Sequence, residues 1–282
     1  MTSEARPSDS ARLDSAAPAT GAPARPAGLG ELREGPYLVR FARDAEDLER
    51  VLSLRFEVFN RELGEGLAES WRTGLDRDRF DDVCHHLMLI EAASGAVVGT
   101  YRLQTAEQAR AGAGLYCAGE FDLAPLERIV ARGVELGRAC ILREHRQGSA
   151  LFALWRGLAA YLSWSGKRYL FGCCSLTSQD PREGVALQRA LERDGHVHPR
   201  LCAPALASHA CGDPGGAPVD AQLPKLFGTY LRYGAKVVSG PALDREFKTI
   251  DWLVVLDARG LPARLWRLFF TGLLGSPAEI GE

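Results

Sequence analysis

From residue 37 onward the apolar positions either alternate or recur with helical spacing. Residues 37–42 predict a short strand. Asp44 then stands as a helix cap before Leu48, Val51, Leu52, Val58, Phe59 and Leu63, the three-and-four spacing of one buried helical face running to about residue 63. Arg55 falls on that same face, where a guanidinium either reaches the rim or meets a carboxylate inside the fold. After a polar loop over 64–82, residues 86–91 and 97–104 read as two strands joined by the Ala-Ser-Gly-Ala turn at 93–96. Alternation in the second strand puts Val98, Thr100, Arg102 and Gln104 on one mixed face. A strand over 134–142, a loop over 143–148 and a helix over 149–163 follow, the helix with Leu151, Leu154, Trp155, Leu158 and Leu162 inward. Residues 169–174 make a short apolar strand, and Asp180 with Pro181 opens a helix to residue 193. An irregular excursion spans 195–222, a helix spans 223–233 and closes at Gly234, and a last strand spans 250–257.

The two ends read differently. Residues 1–36 are Ala, Pro, Ser, Gly and Arg with few sizeable apolar side chains, the composition of a disordered tail. The domain proper then covers 37–260, and 261–282 forms an amphipathic C-terminal segment. Its residues 262–275 carry Leu265, Trp266, Leu268, Phe269, Phe270, Leu273 and Leu274 with Arg264 and Arg267 as the only charges. That stripe suits a helix lying on a membrane surface, and equally a helix docked on the core.

Composition narrows the function classes. With 34 Lys and Arg against 36 Asp and Glu, the formal charge of −2 supplies no bulk attraction for nucleic acid. Seven irregularly spaced Cys and no early apolar leader predict a reduced, cytoplasmic setting, and no uncharged apolar run is long enough to span a bilayer. His196, His198, Cys202, His209 and Cys211 match no usual zinc spacing, so no metal is expected.

Three constellations carry candidate chemistry. Asp78 and Asp81 sit three apart before the hairpin and read either as a binding pair or as a solvated turn. Glu135 and Arg138 lie inside an apolar strand, where strict alternation would send them to opposite faces. To serve one site the strand must bulge, with Gly137 the natural place; a structural salt bridge is the other reading. Finally, Arg143, His145, Arg146, Gly148, Ser149 and Ala150 stand between strand and helix, where free N–H groups and small residues admit a phosphate.

Taken in order, Arg55, Phe59, Asp78, Asp81, Arg102, Glu135 and Arg138 resemble the signature of the acyl-homoserine lactone synthases. The text around them is closer to another branch: Phe80-Asp-Asp-Val-Cys-His-His-Leu87, Val98-Gly-Thr-Tyr-Arg-Leu103, Glu135-Leu-Gly-Arg-Ala-Cys-Ile141, Phe171-Gly-Cys-Cys-Ser175, Tyr230-Leu-Arg-Tyr-Gly-Ala235 and Pro241-Ala-Leu-Asp-Arg-Glu-Phe247. These resemble the ornithine N-acyltransferases of bacterial ornithine-lipid synthesis, over roughly residues 38 to 260.

The resemblance implies an α/β sandwich of the GCN5-related N-acetyltransferase (GNAT) type, with a mixed, largely antiparallel central sheet flanked by helices. It implies an enzyme that moves a 3-hydroxy fatty acyl chain from acyl carrier protein to the α-amine of L-ornithine, giving lyso-ornithine lipid. No cofactor is implied beyond the donor's own acyl-phosphopantetheine. Glu135 is the expected base, directly or through water, with Arg138 beside it. Asp78 and Asp81 are expected to hold the cationic acceptor, with Arg55 and Arg102 fixing that acidic loop or an acceptor carboxylate and Phe59 as a further substrate-binding residue. The motif of this family at a strand-to-helix phosphate loop begins with Gln or Arg, whereas this chain has His145 there. Arg143, Arg146, Gly148, Ser149 and Ala150 are expected to meet the donor, with Arg156, Lys167 and Arg168 as further basic residues facing an acidic carrier protein.

Overall fold

The computed structural model describes residues 26–281 except residues 147, 213, 214 and 218, so most of the expected disordered tail lies outside the described residues. Leu32–Glu34, which composition assigned to that tail, instead forms an edge strand, β1, paired antiparallel with β2, Tyr37–Phe41. Helix α1, Ala45–Arg55, starts at Asp44, whose side chain accepts from the Asp47 amide, and passes into a π-helical segment over Phe56–Glu62. The short helix α2, Ser70–Thr73, precedes the hairpin of β3, His85–Glu91, and β4, Val97–Thr105. Two short helices not foreseen, α3, Ala106–Ala111, and α4, Glu127–Ala131, lead to β5, Gly133–Ile141. Then come α5, Gly148–Ser165, β6, Tyr169–Leu176, and α6, Pro181–Arg193, capped by Asp180. Helix α7, Lys225–Arg232, the short strands β7, Lys236–Val237, and β8, Ala242–Asp244, strand β9, Thr249–Asp257, and helix α8, Ala263–Phe270, complete the order.

The sheet runs β1-β2-β3-β4-β5-β6-β9-β7, with β8 also on β9, and every pairing is antiparallel except β5 with β6. It is therefore a mixed, largely antiparallel sheet of the GNAT type. Alternation on β3 sends Leu87 and Leu89 to a face covered by α5, through Ala153, Leu154, Leu158 and Leu162. Met88 and Ile90 go to the other face, covered by Val51 of α1.

Two departures from regular pairing create the site. Between Thr100↔Cys140 and Arg102↔Gly137, β5 spends one residue more than β4, which is a bulge. Its left-handed residue is Arg138, with φ of 49°, rather than the expected Gly137. Second, β5 and β6 pair only from Gly133↔Tyr169 to Glu135↔Phe171 and then separate. At the parting, Gly172 lies so close to β5 that a Cβ there would sit 2.2 Å from the Leu136 carbonyl oxygen. Because the obstacle is backbone, Gly172→Ala should force the two strands apart and cost about 1–3 kcal/mol, read as a shifted midpoint in urea denaturation. An unchanged midpoint would show that the strands are not held at this distance.

Helix α8 docks on α5. Phe269 and Phe270 are fully buried in the main core, Phe152 stacks on Phe269 at 6.0 Å, and Arg156 donates to the Phe269 and Thr271 carbonyls at the helix end. Of the two readings open for residues 262–275, the docked one is adopted, which leaves Leu268 as the exposed large apolar side chain of the helix. No helix among the described residues is long and apolar enough to cross a membrane.

Candidate active site

Arg55 is fully buried, and carboxylates meet it there. Its Nε donates to Asp76 at 2.7 Å, and its two terminal nitrogens donate to the two Asp81 oxygens at 2.7 and 3.2 Å. Arg102, on β4, donates to Asp78 at 2.6 Å and Asp81 at 2.9 Å. Arg138, turned by the bulge, donates to Asp76 at 3.2 Å and Asp78 at 2.9 Å. Three guanidiniums and three carboxylates thus alternate in a closed network. The Arg55 and Arg102 charges hold the Asp81 carboxyl far below the usual carboxylate range, and Arg102 and Arg138 depress Asp78. The burial that opposes them is outweighed.

The network corrects one expectation. Asp81 is buried with both oxygens bonded, and Asp78 bonds Arg102 and Arg138, so the pair neutralises arginines and is not free to hold a cation. What the network offers is positive. Arg102 and Arg138 both line a cavity of about 600 Å³ that occupies the gap between β5 and β6. Arg138 lies 4.2 Å from the Phe247 ring centre and 5.3 Å from that of Tyr116, and its Nη1 has no protein partner among the described residues. Phe59 also lines the cavity and packs on Phe247 at 5.2 Å.

Glu135 requires a second correction. It is buried, absent from the cavity wall, and its oxygens accept from Gln104 at 2.6 Å, the Tyr116 amide at 3.1 Å and the Cys117 amide at 2.8 Å. Three donors hold this carboxylate against the 116–117 segment, and it does not touch the cavity directly. The cavity's own carboxylates are Glu65 and Asp251. Glu65 is buried, takes a hydrogen bond from the Thr177 hydroxyl, and has its pKa pushed up by burial. Burial beside Asp244 pushes Asp251 up to about 7.

Most of the remaining wall is apolar, with Leu136, Ala139, Ile141, Leu151, Trp155, Phe171 and Leu226, and Ser175, Thr177, Lys225 and Thr229 add polar groups to it. Arg146 and Gly148 reach it at the start of α5. Arg143 and Arg146 both bond Glu62, so two cations share one carboxylate there. Ser149 is exposed, whereas Ala150 is sealed in the core and cannot touch a donor. His145 bonds the Tyr37 hydroxyl at 3.1 Å.

The wider basic surface expected of this region does not form. Arg156 pairs with Glu34, Lys167 with Glu107 and Arg168 with Asp257, each close to its carboxylate, and Lys167 and Arg168 follow the opposite end of α5. The His and Cys residues of 195–222 do not converge; His198 Nδ1 instead accepts from the Arg200 and Leu201 amides. Cys84, His85 and His86 are buried, His85 on the Tyr161 hydroxyl and His86 on the Asp81 carbonyl. Sequence reasoning missed Asp76, Glu65, Tyr116 and Thr177. It could have noticed Asp251, a carboxylate in the middle of an apolar strand.

Residues 54–156 match the model of the acetyltransferase (GNAT) domain. The L-ornithine N(alpha)-acyltransferase of Rhodobacter capsulatus is 34% identical over 250 residues, covering 83% of this chain and 95% of that protein. The enzyme of the same name from Agrobacterium fabrum is 32% identical over 248 residues, covering 82% and 84%. Among solved structures, the AHL synthase LasI aligns with a TM-score of 0.45 and 13% identity over 88% of this chain and 99% of that one. With relatives above 30% identity over more than four fifths of both chains, the chain belongs to the L-ornithine N(alpha)-acyltransferase family.

Proposed function

We propose that this protein transfers a fatty acyl chain, 3-hydroxylated, from acyl carrier protein to the α-amine of L-ornithine, giving lyso-ornithine lipid. The observation that carries the reading is the cavity itself. It joins an arginine with a free Nη1 and two buried carboxylates to an apolar gap between β5 and β6. The acceptor carboxylate meets Arg138 Nη1. The acyl thioester lies in the gap, where the β5 edge beyond Glu135 is unpaired by β6 and presents backbone groups to an extended pantetheine.

The reaction is aminolysis of a thioester. The α-ammonium gives a proton to Glu65, whose raised pKa makes it a better base than an ordinary carboxylate. The neutral amine attacks the carbonyl carbon, the C–N bond forms, and the tetrahedral oxyanion collapses with cleavage of the C–S bond. The bonded nitrogen, cationic after attack, gives up its second proton, and the leaving thiolate takes that proton up and departs as the thiol. No covalent enzyme intermediate is needed, and Cys84, Cys140 and Cys117, buried with thiols pushed up to about 12, are poor nucleophiles.

Purified protein should be incubated with 3-hydroxyacyl carrier protein or the matching acyl-coenzyme A and a panel of amino acids, with products read by mass spectrometry. N-acyl-ornithine should dominate. The carrier-protein donor should give at least about tenfold higher kcat/KM, an advantage that shrinks as salt screens Arg143 and Arg146 from an acidic partner. Equal efficiency with both donors would remove the carrier protein from the reading, and no acylated ornithine from either donor would overturn the function.

A further inference from the structure

Around Asp251 lies a group of acids of which the acyl-transfer chemistry uses only Glu65. Asp251 on β9, Glu120 in the 117–121 turn and Asp244 on β8 are each at most 7% exposed, and Glu65 lies near enough to perturb Asp251. Among the described residues none of these four carboxylates is in an ion pair with Arg, Lys or His. Asp244 is satisfied by the Tyr116 hydroxyl at 2.7 Å and by the Glu246 and Phe247 amides. Asp251 Oδ1 and Glu120 Oε2, in contrast, are buried acceptors with no partner, and the two side chains approach within 4.8 Å beside the Cys173 sulfur. An orphaned buried carboxylate oxygen is costly, and each of these two lacks the hydrogen-bond partner that burial demands.

The geometry points to a subsite for a primary alkylammonium, the side-chain end of a diamino acid, held at Asp251, the member of the group that lines the cavity, with Glu120 behind it, while the α-carboxylate meets Arg138. This rests on the acyl-transfer reading above and adds to it the residues that select a basic acceptor. The two recognition elements share one cavity: Arg138, the Tyr116 ring beneath it and Asp251 all line it, and the Tyr116 hydroxyl bonds Asp244, the acid whose charge acts on Asp251. An ammonium offers three N–H donors to the orphaned oxygens and offsets the burial, and the Asp251 and Asp244 charges, that together push Glu120 up to about 10. A divalent metal suits the group less well. Its third ligand would be Cys173, whose burial and contact with Cys117 at 3.5 Å push the thiol well above its ordinary range and keep it protonated.

The test compares L-ornithine with L-norvaline, which has the same carbon chain without the terminal amine, by calorimetric binding and by kcat/KM with the carrier-protein donor. Wild-type protein should bind ornithine and favour it by at least about 100-fold, because norvaline leaves the two acids unpaired. Asp251→Asn and, as an independent variant, Glu120→Gln should each bring that ratio to within about threefold of unity, with circular dichroism confirming the fold. Equal use of both amino acids by wild type, or a ratio untouched in both variants, overturns the subsite. Tight binding of Zn²⁺ or Mn²⁺ that Asp251→Asn abolishes, with no ornithine discrimination, would make it a metal site and overturn it as well. If ornithine binds with this selectivity but is never acylated, the subsite stands and the acyl-transfer reading fails.

Discussion

Replacing Arg55 with alanine should destabilise the fold by about 3–5 kcal/mol, more than any single apolar truncation in the same helix, because it strands charges that the core has already enclosed. Asp76 would lose its closest donor, at 2.7 Å, and Asp81 both of its bonds to this guanidinium. Arg102 and Arg138 remain, but they already serve Asp78 as well and cannot reach round to fill the vacated positions. Arg55→Lys should recover only part of the loss, since one ammonium cannot reproduce a fork that spans two carboxylates. A double-mutant cycle of Arg55→Ala with Asp81→Asn should show coupling of at least about 1 kcal/mol, and additive effects would mean that the pair is not an energetic unit. Acid sensitivity supplies a second readout. Asp81 is held far below its unfolded pKa, so its contribution to stability is present above about pH 4 and is lost as pH falls below that value. In Arg55→Ala the folded pKa rises toward the unfolded one, so the variant should begin less stable but lose less on acidification.

Arg55 was legible in the sequence because helical spacing is a local property: an arginine on an apolar stripe needs a carboxylate, and two of the three that gather around the site's arginines were named. Strand alternation placed Arg102 and demanded the β5 bulge for the same reason. Glu135 shows where such reasoning ends. Its position on the central strand was readable, but its role is decided by the amides of Tyr116 and Cys117, brought to it by a turn that no periodicity announces. Glu65 stands in a polar loop and acquires its character from Thr177, 112 residues later, and from burial that only the folded chain supplies. The five basic residues around α5 looked like one surface in the sequence. Helix length separates Arg143 and Arg146 from Lys167 and Arg168, and local carboxylates claim the last two. For α8 the sequence could not choose between lipid and protein, because a wide apolar stripe satisfies either; Arg156, donating to the carbonyls at its end, belongs to the docked answer.

Glu65→Gln should lower kcat with the carrier-protein donor by about 10² to 10⁴ while leaving the fold and donor binding intact, which is the usual worth of a positioned general base. The amide keeps the size of the carboxylate and still accepts from the Thr177 hydroxyl, so the cavity wall is preserved and only the proton acceptor is lost. The pH profile makes the assignment specific. Burial raises the Glu65 pKa, and the base works only when ionised, so wild-type kcat/KM should rise with pH through that raised pKa, and the variant should lack this limb. Glu135→Gln should do the reverse. Its new NH₂ or its single remaining acceptor must face amides of Tyr116 and Cys117 that both donate, so stability falls and whatever protein folds turns over normally. Wild-type turnover in Glu65→Gln, or a strong loss of turnover in a well-folded Glu135→Gln, would return the base to β5 and overturn the assignment.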